Sequence, residues 1–242
     1  RSFERTIEHL RKILEIEPEL IVHDLHPDYL STRWALSRDP LPRLAVQHHH
    51  AHIAAVIAEH RLSGPVLGLA MDGTGYGPDG TVWGGEILRV EDDSWERLGH
   101  FRPLPLPGGD KAVREPWRMA VSALWSLGPA GVEETVRDLR LPWPPDKLKI
   151  LLQMIEKNLR SPLTSSCGRL FDAVSALIGL RDAVTYKGQA AIELEQAVVP
   201  EDGAHALRRI RVAALGDREP LVEGSPQSAL FGRRQRIGQD LD

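Results

Sequence analysis

The sequence predicts an α/β protein: a mixed sheet containing a β-hairpin, flanked by helices and followed by a mainly helical segment. Three observations carry that prediction. Helical and strand-like patterns alternate over roughly the first sixty residues, two apolar runs meet at a glycine-rich turn between residues 66 and 90, and from Val113 onward apolar residues recur at helical spacing.

Each element has a local reason. In the first helix Ser2 can cap, Phe3, Ile7, Leu10 and Leu14 fall on one stripe, and Glu8 precedes Lys12 by four residues. Pro18 blocks its continuation, and Leu20-Ile21-Val22 forms a short apolar strand that ends at HDLHP. A helix over about 28–37 follows, then a second short strand at Leu44-Ala45-Val46. Both strands are apolar enough to be buried in a sheet covered by helices. The next helix opens on the histidines of VQHHHAHIAA and buries Ile53, Ala54, Ile57 and Ala58. Val66 to Met71 and Thr81 to Val90 flank a loop with four glycines, and Asp79-Gly80 supplies the turn, so the connection is a hairpin rather than a crossover. RLGHF adds a third strand ahead of a Pro/Gly loop, and helices are predicted over about 113–127, 145–157, 168–179 and 188–198. This gives an α/β lobe over 1–110, a helical part over 111–200, and a tail over 201–242 in which periodicity fades.

Composition narrows the function. A hydrophobic share of 42% supports a core, and a net charge of −4 without long blocks of like charge indicates neither a nucleic-acid footprint nor a membrane-surface patch. No apolar run reaches the roughly 18 to 20 residues of a membrane span, and RSFERTIEHL lacks a signal-peptide core, so a cytoplasmic location is expected. The missing initiator Met and a first residue inside a helical pattern give the expectation of a fragment. Cys167 is the single cysteine, so a metal held within this chain must be held by nitrogen and oxygen.

The histidines and one carboxylate are the candidates for such a site. On a helix, residues four apart differ by about 40° around the axis, which lets His48 and His52 face the same way about 6 Å apart. His49 and His50 are turned away and cannot join that clamp. Two histidines fill only half a coordination sphere, so solvated or core imidazoles remain an open alternative. Asp72 ends an apolar strand and opens DGTGYGPDG. Gly73, Gly75 and Gly77 could turn backbone N–H groups toward an oxyanion, and Thr74 offers a hydroxyl. A tight turn is the alternative reading, because the spacing matches neither a P-loop nor a dinucleotide fingerprint.

The stretches VQHHHAHIAAVIAEH, MDGTGYGPDGTVWGGE, PLPGGDKAVREPWRMA, SSCGRLFDAVSALIGL and YKGQAAIELE, in this order and preceded by HDLHPDYLSTRWA, closely resemble the HypF carbamoyltransferase family of [NiFe]-hydrogenase maturation. The match lies in its Kae1-like domain, of the actin-like ATPase (ASKHA) superfamily, and covers about residues 1 to 200. The resemblance implies that His48, His52 and Asp72 hold a divalent metal, iron or zinc, beside a bound nucleotide. It places the backbone of Gly73 to Gly75 toward phosphate, and Asp172, Gly188 and Glu193 near the ribose. It implies transfer of a carbamoyl group, made into carbamoyl-adenylate from carbamoyl phosphate and ATP, to the C-terminal cysteine of a HypE-type acceptor. The family's acylphosphatase-like, zinc-binding and adenylate-forming segments have no counterpart here. Its LSGGVFQN-like segment and the later Asp of the metal shell are also absent, and Lys187 stands where an acidic residue is expected. An incomplete two-lobed fold is therefore expected, with a truncated, non-catalytic nucleotide- or partner-binding fragment as the alternative. Another Kae1-like carbamoyltransferase is a further alternative, against which HHHAH and PLPGGDKAVREPWR speak.

Remaining residues carry weaker signals. Arg114 and Arg118 could hold phosphate or carbamoyl oxygens, or pair with Glu115 or Asp110. Cys167 has no His/Asp partner at informative spacing and reads as a small buried residue before a helix. His23 and His26 read as structural residues of a turn.

Overall fold

The computed structural model describes residues 2–38 and 41–197, together with the backbone of 222–223. Helix α1 spans Ser2–Leu14, strand β1 Ile21–Asp24, α2 Leu30–Leu36, β2 Arg43–Val46 and α3 His48–His60. Strands β3 (Val66–Tyr76), β4 (Val82–Glu91), β5 (Ser94–Phe101) and β6 (Leu104–Pro105) follow. Then come α4 (Asp110–Arg114), α5 (Trp117–Leu127), α6 (Val132–Asp138), α7 (Pro145–Glu156), β7 (Leu163–Thr164), α8 (Cys167–Leu177), α9 (Gln189–Gln196) and β8 (Val222–Glu223).

Among the described residues two sheets organise the strands. β1 and β2 pair in parallel as a separate two-stranded sheet. The larger sheet has six strands, with β4 pairing antiparallel to β3 and β5 and parallel to β7. The hairpin register runs from Val66 opposite Val90 to Tyr76 opposite Val82, with an irregularity between Met71 and Gly75. Asp79 and Gly80 form the predicted turn, where Gly80 takes φ +78°, a left-handed conformation that glycine adopts without Cβ strain. The Asp79 carboxylate accepts from the Thr81 N–H at 3.0 Å and the Trp83 indole at 3.0 Å, closing the turn.

Among the described residues three clusters form the core. Ile53 of α3 packs on Ala70, Trp83, Leu88 and Val90, fixing the histidine helix to the hairpin. Trp117, Val121, Val132, Trp143, Leu148, Leu151 and Ile155 are among the residues that build the helical layer. Between them Leu106, Ala112, Met119 and Ala173 join that layer to the sheet.

Several expectations change. The first two strands are only partly buried, and Val22 is 58% exposed, because their sheet has just two strands and α1 contributes no buried residue to cover them. The helix predicted over 113–127 is two helices, since Pro116 has no N–H and disfavours helical geometry at Glu115, which sits at φ −123° and ψ 77°. Helix α6 escaped prediction: it is a seven-residue element entered through Pro129–Gly131. Gly73, Thr74 and Gly75 belong to β3 rather than to a loop, and no left-handed φ occurs among them. The predicted tail over 201–242 lies outside the described residues except for β8, which pairs with β5.

Candidate metal centre

Helix α3 presents the histidines because Gln47, its N-cap, accepts the His50 N–H at 2.8 Å and starts the helix directly after β2. One turn apart, His48 and His52 face the same side with ring centroids 4.8 Å apart and Nε2 atoms 3.2 Å apart. Asp72 arrives from β3, its Oδ2 2.9 Å from His48 Nε2. One ligand atom from each of His48, His52 and Asp72 lies within 4.8 Å of the others. Two imidazole nitrogens and a carboxylate oxygen form a donor set that iron or zinc accepts. The residues present therefore fit a divalent metal.

A second carboxylate stands behind the first histidine. Asp24, at the end of β1, places Oδ2 2.7 Å from His48 Nδ1. A hydrogen bond there fixes the ring's orientation and tautomer with Nε2 free to ligate. Asp24 is itself held, since its Oδ1 accepts the His26 N–H at 2.7 Å and its carbonyl accepts the Thr32 hydroxyl at 3.2 Å. His26 stacks on Tyr29 at 4.2 Å, so the HDLHP turn is a rigid support.

Electrostatics follow from these contacts. Hydrogen bonding to Asp72, opposed by burial and helped by Asp24, raises the His48 pKa to about 9. The same hydrogen bond, with the Gly73 N–H, lowers Asp72 to about 2. His49 behaves oppositely: burial is the main cause that lowers it to about 4, and its Nδ1 lies 3.2 Å from the Gln47 amide nitrogen. Burial also lowers His50. Both rings are buried: His49 packs against Gly75 and Trp83 with its ring edge-on to His48 at 5.3 Å, next to the cluster, whereas His50 lies near Trp95.

Glycines let the backbone close in. A Cβ on Gly75 would sit 2.4 Å from His49 Cε1 and 2.9 Å from His48 Cδ2, so the histidine helix can lie on β3 only where no side chain intervenes. A Cβ on Gly84 would meet the Asp72 carbonyl at 2.5 Å and Ser166 Cα at 2.9 Å. Over Gly73 the space is open, with no atom within 4 Å of such a Cβ. The Gly73 N–H points to its neighbour Asp72 Oδ1. Thr74 is exposed beside it.

Helix α8 docks on the same strand. Its N-cap Ser166 has its hydroxyl 2.7 Å from the Gly73 carbonyl, donates there, and accepts the Arg169 N–H at 3.2 Å. The buried Glu86 braces this junction: it accepts the Gly84 and Gly85 N–H groups and the Ser165 hydroxyl, and pairs with Arg97. Asp172, one turn beyond Arg169, is buried, and burial raises its carboxyl to about 6. Gly188 caps α9 at φ +81°, a left-handed conformation suited to glycine. Glu193 is held by Arg181 and accepts from the Gln189 amide. Helices α8 and α9 pack together, and α8 also packs on β3 and β4.

Arg114 is exposed and gives its carbonyl to the Val184 N–H, with no bond or ion pair from its side chain to the His–Asp cluster among the contacts of the described residues. Arg118 pairs with Glu115 and lies over Trp117. Cys167 is buried, and burial raises its thiol pKa. Sequence reasoning missed Asp24, Ser166 and Arg169. Asp24 carries the signal that flagged Asp72, a carboxylate at the end of an apolar strand, and was read instead as part of a turn.

A hairpin strand and a histidine helix deliver a His₂Asp cluster within an α/β domain, which defines a candidate metal-binding α/β protein. Residues 1–59 match the family model described as the HypF Kae1-like domain, and residues 68–223 match the one described as the second subdomain of the carbamoyltransferase Kae1-like domain. The chain belongs to the HypF carbamoyltransferase family. It is 52% identical to carbamoyltransferase HypF2 of Cupriavidus necator over 192 residues, which are 78% of this chain and 23% of that protein. A carbamoyltransferase HypF homolog of the same organism is 40% identical and aligns with 95% of this chain and 64% of its own length. Among solved structures, full-length HypF in a phosphate- and nucleotide-bound form superposes with a TM-score of 0.73 at 43% identity, covering 80% of this chain and 25% of that one. The T. kodakarensis HypF gives 0.71 at 36% identity. The chain thus spans about a quarter of the length of most of these relatives. The family match runs to residue 223, past the limit near 200 that the motifs set.

Proposed function

We propose that this chain is the metal- and nucleotide-holding part of a HypF-type carbamoyltransferase, which passes a carbamoyl group from carbamoyl-adenylate to the C-terminal cysteine of a HypE-type acceptor protein. The observation that carries the proposal is the convergence of His48, His52 and Asp72, with ligand atoms within 4.8 Å of one another, beside the open backbone of Gly73. A relative of this family has been solved with phosphate and nucleotide bound, which supports a nucleotide-derived substrate.

In the transfer, the acceptor thiolate forms a bond to the carbamoyl carbon. The carbon–oxygen bond to the adenylate phosphate breaks, AMP leaves with that electron pair, and the thiol proton goes to solvent. A divalent iron or zinc held by His48, His52 and Asp72 would supply Lewis-acid polarisation of substrate oxygens. The chain's own residues prepare the site. Asp72 remains a carboxylate at any physiological pH, His48 gives up a proton to become a ligand, and Asp24 holds the other ring nitrogen so that Nε2 keeps its aim. Gly73 leaves room for a phosphoryl group, with Thr74 and Gly75 alongside, and Asp172, Gly188 and Glu193 form the proposed ribose side. The acceptor thiol comes from the partner, since Cys167 is buried. ATP or carbamoyl-adenylate is the nucleotide substrate in this reading.

Metal content and nucleotide affinity of the chain and of a His48→Ala/His52→Ala double variant test the site. Loss of bound metal in the variant is expected, and equal metal stoichiometry in both removes it. A second reading, a binding fragment without turnover, is favoured by the chain's span of about a quarter of full-length relatives. Supplying carbamoyl-adenylate and acceptor separates the two, because thiocarboxamide on the acceptor cysteine above background rejects the binding-only reading.

A further inference from the structure

The inward face of α8 carries Arg169, Asp172 and Ser175 at successive turns, with relative exposures of 8%, 3% and 0%. Buried polar groups are ordinarily hydrogen-bonded. Here Arg169 Nε and Nη1, Asp172 Oδ2 and Ser175 Oγ are buried without a hydrogen-bond partner. Arg169 Nη1 lies 3.0 Å from Asp172 Oδ2, so the charges attract, yet the contact leaves Nε and Nη1 without a hydrogen bond. A buried guanidinium with spare N–H groups is a ready receptor for an oxyanion, which its planar fork can hold in a bidentate manner.

The position of Arg169 narrows the oxyanion. Its N–H is capped by the Ser166 hydroxyl that also bonds the Gly73 carbonyl, and a Cβ on the preceding Gly168 would fall 2.9 Å from Gly73 Cα. The arginine is therefore anchored where β3 leaves the metal cluster. It feels the charges of both Asp72, in that cluster, and Asp172, one turn along its own helix. The group that completes Arg169 there must be a hydrogen-bond acceptor, and an oxyanion is the acceptor that a guanidinium binds most strongly.

We infer that Arg169 is a substrate-binding residue that holds a phosphoryl oxygen of a nucleoside phosphate between the His48–His52–Asp72 cluster and Asp172. The inference rests on the nucleotide-site reading above. A purely structural arginine, present to offset two carboxylates, would affect folding or the binding of all ligands alike. A phosphoryl contact affects only ligands that carry the phosphate.

The test is calorimetric titration of the metal-loaded chain with adenosine and with ADP, for the unaltered protein and for Arg169→Met and Arg169→Gln. Expected is a fall of roughly tenfold or more in the preference for ADP over adenosine in both variants, with adenosine affinity and metal stoichiometry held. Arg169→Gln keeps a donor toward Asp172 and carries the test if Arg169→Met does not fold. An unchanged ADP-to-adenosine ratio, or an equal loss of both ligands, overturns the inference while leaving the nucleotide site standing. Failure of the unaltered, metal-loaded chain to bind either ligand overturns both.

Discussion

At the scale of the residue, the centre is governed by one proton and one supporting carboxylate. His48 is raised to about 9 by Asp72 first and then Asp24, so near neutral pH the metal-free ring is protonated and must shed that proton to ligate. Metal affinity is therefore expected to climb as pH rises toward about 9, with a proton released on binding, and a competition titration across pH 6 to 9 alongside calorimetry in buffers of different ionisation heat reads both. The metal-free fold responds with the opposite sign. The raised His48 pKa contributes stability that is complete below its ordinary value of 6.5 and is lost as pH rises through about 9. The lowered Asp72 pKa contributes stability that is present above 3.8 and is lost as pH falls through about 2. Replacing the orienting group, Asp24→Asn, is expected to weaken metal binding about 10- to 100-fold, the usual effect of losing a ligand's supporting carboxylate. Unchanged affinity would show that His48 is aimed by packing alone.

At the scale of the element, the site depends on how closely strands and helices approach. β4 lies against the Asp72 carbonyl and against Ser166 at Gly84, where backbone rather than a flexible side chain fills the space. Gly84→Ala is expected to cost about 1–3 kcal/mol through overpacking. It should also disturb the Asp72 end of β3, lowering metal affinity. Gly73→Ala meets nothing within 4 Å and has no left-handed φ to lose, so it should leave stability within about 0.5 kcal/mol. Chemical denaturation of the two variants side by side measures the contrast, and equal effects would show that β3 and β4 do not meet α8 as described. The same logic explains why β3 carries glycines at both Gly73 and Gly75: one leaves open space above the strand, the other admits the histidine helix.

At the scale of the whole molecule, stability is concentrated in the helical layer and the hairpin, and not in the first helix. Leu151 is 1% exposed within the Trp117–Trp143 cluster, whereas Ile13 of α1 is 62% exposed. Leu151→Ala is expected to destabilise this chain by about 2–5 kcal/mol. Ile13→Ala should change it by no more than about 0.5 kcal/mol. Urea titrations resolve these values, and a large loss from Ile13→Ala would place α1 in the core. Among the described residues no helix is long and apolar enough to cross a membrane.

The sequence by itself determined the elements with strong local signals. Helix α1, the Asp79-Gly80 turn and the α3 face that carries His48 and His52 depend on contacts within a few residues and formed as the pattern dictated, although the α1 stripe stays exposed and His49 packs edge-on to His48. The one-turn spacing of the histidines was likewise legible, because helix periodicity fixes side-chain direction, whereas Asp72 proved to lie inside β3, at its irregularity between Met71 and Gly75, rather than at a strand end. Tertiary structure alone decided what lies behind them. Asp24 reaches His48 from 24 residues away and Ser166 reaches Gly73 from 93 away. The contrast between the Asp172 carboxyl, raised to about 6 by burial, and the Asp72 carboxyl, lowered to about 2 by its hydrogen bond with His48, is likewise set by which helices pack on which strand. Local pattern cannot encode those partners, because hydrogen bonds and desolvation act between whatever groups the packed core brings within a few ångströms.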